Sequence, residues 1–373
     1  MGDTRTAIPR SAEEWQLQAD LLGLGNRTIH DTQLKSASRA EIDQFLLLRV
    51  LWNTHSAPEF LKYFDLAQWL PDAKASLENL SSWGKYCSSF TTQIPEGSFA
   101  LARHYQLQAS RTVQDDFGGG GVLFTPKVHN TRSRQQAPQI PVPQPDFTKT
   151  PPSKPDSEFE TPNFDNASDS ISPMSSPLLP SALSPWSPIT PDEEFMYPPT
   201  KDEQIVNTAL LAFLDSLALH FNLSVSWSLH RMALTAEFTD VKFQARTDGY
   251  LADRSGDIKA IIEVKPVLRQ RKEAQIRIQE SHQIVASLLA DYKSPIIQRR
   301  GKPHLIVSQD RQEIYISLAE YENDYITYLQ TGGIHNNPFL VMHQFGPWDT
   351  NNPKAMAELG PILLALTLKA QHY

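Results

Sequence analysis

The C-terminal half of the sequence predicts a mixed α/β domain that spans residues 201–373. Two observations carry this prediction. Long runs with apolar residues at helical spacing open, divide and close the segment, and short strand-like runs lie between them. The order along the chain is helix, three strands, helix, two strands, helix. Such an order is typical of a central mixed β-sheet that is flanked by helices.

Each element of this domain has its own signal. The first predicted helix covers residues 202–221, where Ile205, Leu210 and Phe213 are among the apolar residues at helical spacing. The three strand-like runs that follow are LSVSWSLHR, VKFQARTDGYL and DIKAIIEVKP. Residues 272–292 return to the helical period. Two short strands, HLIVSQD and EIYISL, and a closing helix, AMAELGPILLALTLKA, complete the domain.

A change of composition separates this domain from the N-terminal half. Sixteen of the 28 prolines lie between Pro138 and Pro199. A segment this rich in Ser and Pro buries too little apolar surface to offset its ordering entropy, so residues 138–200 are predicted to form a disordered linker. Seven Ser-Pro or Thr-Pro steps fall within it, at Thr150, Thr161, Ser172, Ser176, Ser184, Ser187 and Thr190. They are either phosphorylation sites for a regulatory kinase or part of a low-complexity spacer.

The N-terminal region, residues 1–137, is predicted to be partly helical. Ser38 and Glu41 form a capping-box pattern ahead of the apolar run IDQFLLLRVLW, which predicts a helix there. A second helix is predicted over PEFLKYFDLAQWL, which begins at Pro58. The run GGGG has no Lys-Ser or Lys-Thr after it and predicts a flexible connector. No catalytic constellation is visible in this region, so the sequence assigns it no role.

The composition indicates a soluble protein of a reducing compartment. The formal net charge is −8, so a surface for nucleic acid must be local. A single cysteine, Cys87, excludes an internal disulfide and a cysteine-rich zinc site. The N-terminus has no apolar signal-peptide core, and no run of apolar residues approaches the length of a membrane span. We therefore expect an intracellular protein, in the nucleus or the cytoplasm, without a membrane partner.

The run AIIEVKP, at residues 260–266, places an acid and a base in an otherwise apolar strand. Side chains alternate across a strand, so Glu263 and Lys265 share one face while Ile262 and Val264 share the other. A charged group in such a strand is partly dehydrated and needs compensation. A bound divalent cation provides it, and so does a simple Glu–Lys pair on a solvated face.

A second carboxylate is predicted to reach this strand through a hairpin. The segment ADRSGD predicts a turn, and folding about residues 254 and 255 brings Asp248 opposite roughly residue 261. A diagonal cross-strand neighbour then lies about 7–8 Å away, so Asp248 and Glu263 are close enough to share an ion. Carboxylate oxygens are the ligands that Mg²⁺ prefers, and Lys265 is placed to orient a water or to stabilise developing charge. These parts suit phosphodiester hydrolysis.

The residues TDGYL, AIIEVKP and the helix IRIQESHQIVASLL resemble the core of PD-(D/E)XK nuclease-like (restriction-endonuclease-like) proteins. DEQIVNTALLAFLDSLALHF and WSLHR further resemble a fungal group of such proteins. The resemblance covers about residues 200–373 and implies a central mixed sheet flanked by helices.

The resemblance also implies a site. In that family the first motif Asp and the (D/E)XK pair bind Mg²⁺ or Mn²⁺, and the matching positions are Asp248, Glu263 and Lys265. A glutamate on the first helix and a glutamine on the helix after the motif also recur, and Glu203 and Gln279 match them. The sequence departs from the literal motif at Thr247, where the family has proline.

Local charge favours a nucleic acid as the partner. Residues 256–302 hold ten Lys or Arg and five acids, a balance of +5. The residues predicted to contact phosphates, of DNA in preference to RNA, are Arg269, Arg271, Lys272 and Arg277. The function predicted from these features is a metal-dependent DNA nuclease. The alternative is a catalytically inactive protein of the same fold that binds nucleic acid or another protein.

Overall fold

The computed structural model describes residues 7–25, 27–90, 94–111, 202–293, 303–334 and 336–372. The α-helices in these ranges are α1 (Ala12–Leu21), α2 (Ile42–Leu47), α3 (Phe60–Tyr63), α4 (Leu70–Glu78), α5 (Ser81–Ser88), α6 (Phe99–Ser110), α7 (Glu203–Ala218), α8 (Glu273–Lys293), α9 (Asn323–Thr331) and α10 (Pro353–Ala370). The strands are β1 (Val50–His55), β2 (Val225–Ser228), β3 (Ala233–Glu237), β4 (Lys242–Arg246), β5 (Gly249–Asp253), β6 (Ile258–Lys265), β7 (His304–Asp310), β8 (Glu313–Tyr321) and β9 (Leu340–Asp349). The predicted linker, its Ser-Pro and Thr-Pro steps and the GGGG run lie outside the described residues.

A seven-stranded sheet in the order β1-β9-β8-β7-β6-β5-β2 forms the centre of the fold. β1 runs parallel to β9 and β6 runs parallel to β7, whereas the other neighbours are antiparallel. The central strands β6 and β7 are buried along most of their length, as their apolar runs predict. β3 and β4 pair separately as a two-stranded hairpin. The predicted mixed sheet flanked by helices is therefore confirmed.

The two faces of the sheet are covered by different helices. On one face, Ile262 and Val264 belong to a core shared with α7 and α10. On the other face, Glu263 meets the side chains of Gln279 and Gln283 from α8. The alternation predicted for β6 is thus what separates its apolar residues from its charged ones.

The N-terminal region contributes a strand where the sequence predicted a helix. The helix in IDQFLLLRVLW ends at Leu47, and Arg49 adopts a left-handed conformation with φ of 54°. β1 then pairs in parallel with β9, with Val50 opposite Leu340. The helix predicted over PEFLKYFDLAQWL is interrupted as well, because the chain is extended at Phe64 between α3 and α4. An apolar run alone does not distinguish a buried strand from a buried helix.

The described residues before 112 and after 201 share one hydrophobic core. Trp83 of α5 stacks near Tyr86, Phe99 and Phe213, and the last of these belongs to α7. Trp83 also lies directly against Gly360 of α10, where a Cβ atom would come within 2.8 Å of its Cζ2 atom. The N-terminal helices therefore complete the packing of the C-terminal ones. No helix in the described part of the chain has the length and apolar character to cross a bilayer.

The close contact between Gly360 and the Trp83 ring gives a prediction about stability. We expect Gly360→Ala to lower the free energy of unfolding by about 1–3 kcal/mol, since the added methyl overpacks against the Trp83 ring. The control is Gly84→Ala on α5, where a Cβ atom meets nothing within 4 Å. That change is expected to raise the free energy by up to about 1 kcal/mol through helix propensity. Urea unfolding of both variants measures the difference, and equal effects would contradict the packing described.

Candidate functional site

The hairpin β5–β6 brings Asp248 to Glu263. Gly249 pairs with Ile262, so the register continued by one residue places Asp248 directly opposite Glu263. The Asp248 N–H donates to the Ile262 carbonyl at 3.0 Å, which is consistent with this register. The sequence had placed Asp248 opposite residue 261. The difference of two residues has two sources: the turn places Ala252 opposite Ile258, and a β-bulge at Leu251 and Ala252 then shifts the pairing by one more residue.

Glu263 is buried, with 1% of its surface exposed, and it accepts hydrogen bonds at both carboxylate oxygens. Oε1 accepts from Lys265 Nζ and, at 2.6 Å, from Gln279 Nε2. Oε2 accepts from Gln283 Nε2, which also donates to the Arg246 carbonyl at 2.8 Å. Burial raises the pKa of Glu263 to about 8, against the attraction of Lys265. The nearby charge of Asp248 is a smaller cause that acts in the same direction as burial and is included in this value.

Asp248 follows β4 and comes just before β5, and it is 7% exposed. Its Oδ2 atom accepts from the Val264 N–H at 3.1 Å, and its Oδ1 atom lies 2.9 Å from Arg231 Nη2 in an ion pair. The Asn207 side chain of α7 donates to the Asp248 carbonyl at 3.1 Å. Strand, loop and helix thus fix both the backbone and the carboxylate of Asp248.

Lys265 connects the strand to the start of α7. Its Nζ atom lies beside Glu263 Oε1 and 3.3 Å from Glu203 Oε1. Glu203 is the first residue of α7, whose N-cap Asp202 accepts from the Gln204 N–H. Burial lowers the pKa of Lys265, but the charges of Glu263, Glu203 and Asp248 outweigh burial and raise this pKa above its ordinary value. The lysine is therefore a cation held among carboxylates.

Three carboxylates meet at this point. Glu203, Asp248 and Glu263 offer oxygen atoms that all lie within 4.8 Å of one another, and no second group of three such ligands occurs in the described ranges. Three carboxylates at this spacing form a set of ligands that can hold a metal ion. The carboxylates line a pocket of about 460 Å³. Its other side chains include Lys265, Gln279, Arg39, Arg231 and Arg246.

Two of the four residues predicted to contact phosphates, Arg269 and Arg277, are buried, so the prediction is wrong for them. Arg269 is 2% exposed and pairs with Glu280 at 2.6 Å and with Asp310 at 2.5 Å. Arg277 is 3% exposed and donates to Gln344, to Thr54 and to Glu273. Both guanidinium groups are thus used inside the protein and do not face a ligand.

The other two predicted contacts remain at the surface. Arg271 is half-buried and Lys272 is exposed at the start of α8. Neither of them lines the pocket that holds the carboxylates.

Sequence reasoning missed several residues of the site. Gln283 lies one helical turn after Gln279, so helical spacing predicts that both glutamines share one face of the helix. Arg246 lies two residues before Asp248, so the alternation of side chains in an extended chain predicts that these two share a face. Arg231 and Arg39 reach the pocket from a loop and from the N-terminal region. Nothing in the sequence around these two arginines indicates that position.

No protein-family model, no curated protein and no solved structure matches the chain. The resemblance to PD-(D/E)XK proteins and to their fungal group therefore remains a prediction, and the site stands on its geometry alone.

Proposed function

We propose that the chain is a metal-dependent nuclease with a PD-(D/E)XK core that hydrolyses phosphodiester bonds, with DNA as the expected substrate. The observation that carries the proposal is the meeting of Asp248, Glu263 and Glu203 with the Lys265 ammonium in one pocket. Burial is the main cause of the raised pKa of Glu263, and repulsion by the Asp248 carboxylate adds to it. A divalent cation relieves this repulsion.

Each residue has a role in this proposal. Asp248 and Glu263 hold Mg²⁺ or Mn²⁺, and Glu203 completes the set of carboxylates. The ion supplies a water of lowered pKa and neutralises charge on the phosphate. Lys265 lies beside Glu263 and 3.3 Å from Glu203, where it would orient a water and stabilise negative charge on the phosphate oxygens. Gln279 donates to Glu263, so it positions the carboxylate and does not act on the substrate directly.

The charge around the pocket supports a polyanionic substrate. Arg39, Arg231 and Arg246 are exposed and line it. Planar guanidinium groups match phosphate oxygens two at a time, which suits binding of a nucleic-acid backbone. The exposed Lys272 extends this basic character at the start of α8. Phosphorylation of the Ser-Pro and Thr-Pro steps by a kinase remains a separate proposal.

A second candidate function rests on the completeness of the hydrogen bonding. Both oxygens of Glu263 and Oδ2 of Asp248 accept hydrogen bonds within the protein, and Oδ1 of Asp248 is ion-paired with Arg231. A network satisfied in this way is stable without an ion, as in a catalytically inactive protein that uses the fold for binding. This candidate predicts that Mn²⁺ does not bind at these carboxylates, whereas the nuclease requires that it does.

Removing the lysine tests the nuclease directly. We expect Lys265→Ala in the full chain to slow Mg²⁺-dependent cleavage of supercoiled and linear DNA by about 10²- to 10³-fold, because an electrostatic contact to the reacting phosphate is lost. Glu263→Ala is expected to abolish cleavage.

The control for this experiment is Lys74→Ala. Lys74 belongs to the triplet Asp72-Ala73-Lys74 on α4, is exposed, and does not line the pocket. Cleavage by this variant is expected to equal that of the unchanged protein. Assays with RNA and with EDTA run alongside. Metal-dependent cleavage that survives Glu263→Ala would refute the site assigned here.

Metal binding is expected to depend on pH. Because burial raises the pKa of Glu263 to about 8, its carboxyl holds a proton at pH 6 that a cation must displace. Mn²⁺ affinity should therefore rise by up to about tenfold per pH unit as pH approaches 8 and level off above it.

Calorimetric titration in two buffers of different ionisation enthalpy measures the proton that Mn²⁺ releases. Glu263→Gln is expected to bind Mn²⁺ more weakly and without this pH dependence. An affinity of the unchanged protein that is constant from pH 6 to pH 8 would contradict the prediction.

A further inference from the structure

Among the described residues that contact the carboxylates of Asp248 and Glu263, Arg231 is the one that lies in a loop. Its Nη2 atom lies 2.9 Å from Asp248 Oδ1, and 55% of its side chain is exposed. We infer that Arg231 is a gate for the metal centre. It neutralises Asp248 in the metal-free protein, leaves when a divalent cation binds, and then contacts the phosphate of the substrate. The inference rests on the proposed nuclease function.

The fold holds Arg231 at this place through its neighbours. Residues 229–232 connect β2 to β3. The Met232 N–H donates to Thr247 Oγ1 at 3.3 Å, and the Thr247 N–H donates to the Met232 carbonyl at 3.0 Å. The residue after Arg231 is therefore joined to the residue before Asp248. These hydrogen bonds of the Met232 and Thr247 backbone hold Arg231 close to Asp248, so the contact does not depend on the long arginine side chain alone.

Of the two described groups that contact the Asp248 carboxylate, the Val264 N–H and the Arg231 guanidinium, Arg231 is the one that can move. The Val264 N–H belongs to β6 and stays with Oδ2 as long as the sheet is intact. The half-exposed guanidinium on Oδ1 gains water when it leaves, so its release costs little. A divalent cation at the same oxygen also repels the guanidinium. Metal binding and the Arg231–Asp248 pair therefore compete.

A released Arg231 remains at the pocket that it lines together with Arg39 and Arg246. Its guanidinium then has donors available for a phosphate. Binding of the metal frees this cation for the substrate, and a bound phosphate draws it from Asp248 and opens the site to the metal. By linkage, each ligand strengthens the binding of the other by the same factor.

The test is a titration of the full chain with Mn²⁺ alone at low salt. We expect Arg231→Met to bind Mn²⁺ about two- to fivefold more tightly than the unchanged protein, since an exposed ion pair competes by about that factor. Arg231→Lys, which keeps the charge, should remain near the unchanged protein. Arg246→Met is the control for loss of positive charge, because Arg246 lines the same pocket without pairing to Asp248. It should change the affinity by clearly less than Arg231→Met.

The second measurement is Mn²⁺ affinity in the presence of a phosphorothioate DNA oligonucleotide, which resists cleavage. The oligonucleotide should tighten Mn²⁺ binding to the unchanged protein, and Arg231→Met should lose much of that gain. Equal Mn²⁺ affinity of Arg231→Met and the unchanged protein would overturn the gate while leaving the metal centre intact. Absence of Mn²⁺ binding by both proteins would overturn the proposed nuclease as well. Thermal melting checks that each variant is folded.

Discussion

The burial of the Glu263 carboxylate is the constraint around which the rest of the site is arranged. An ionised carboxyl that is removed from water costs several kcal/mol unless charges and donors replace its hydration. Three side chains replace the hydration of the Glu263 carboxylate: Lys265 from strand β6, and Gln279 and Gln283 from helix α8. The helix must therefore dock with its glutamine face towards β6. The position of one carboxylate thus determines how a whole layer of the protein packs.

The N-terminal region supports the same helix from its other side. Trp52 of β1 donates to Ser281, Gln44 hydrogen bonds with His282, and Arg277 donates to Thr54. Ser281 and His282 lie between the two glutamines that hold Glu263. The edge strand and α2 therefore help to orient α8, although they contribute no carboxylate to the cluster.

The parts of the site that follow from local periodicity could be predicted from the sequence. Alternation along β6 put Glu263 and Lys265 on one face, and a turn between two strands brought Asp248 to them. The exact register between β5 and β6 could not be predicted, because the bulge at Leu251 and Ala252 is a property of the paired strands. Arg269 was misjudged for a related reason. Its partners Glu280 and Asp310 lie on other elements, and a positive charge in a sequence does not reveal whether it is buried. The strand β1 was missed because its partner β9 lies at the far end of the chain.

The pairing of β1 with β9 also determines when this edge of the sheet can form during synthesis of the chain. Val50 leaves the ribosome long before Leu340, and its backbone groups on that side have no strand to pair with until β9 has been made. During this interval the nascent chain carries the apolar run of β1 and the aromatic rings of α5 and α6 without their final cover. Contacts between such distant residues slow folding, and a long-lived open edge invites association with other chains. The apolar edge formed by β1 is closed only once residues Leu340–Asp349 have been made.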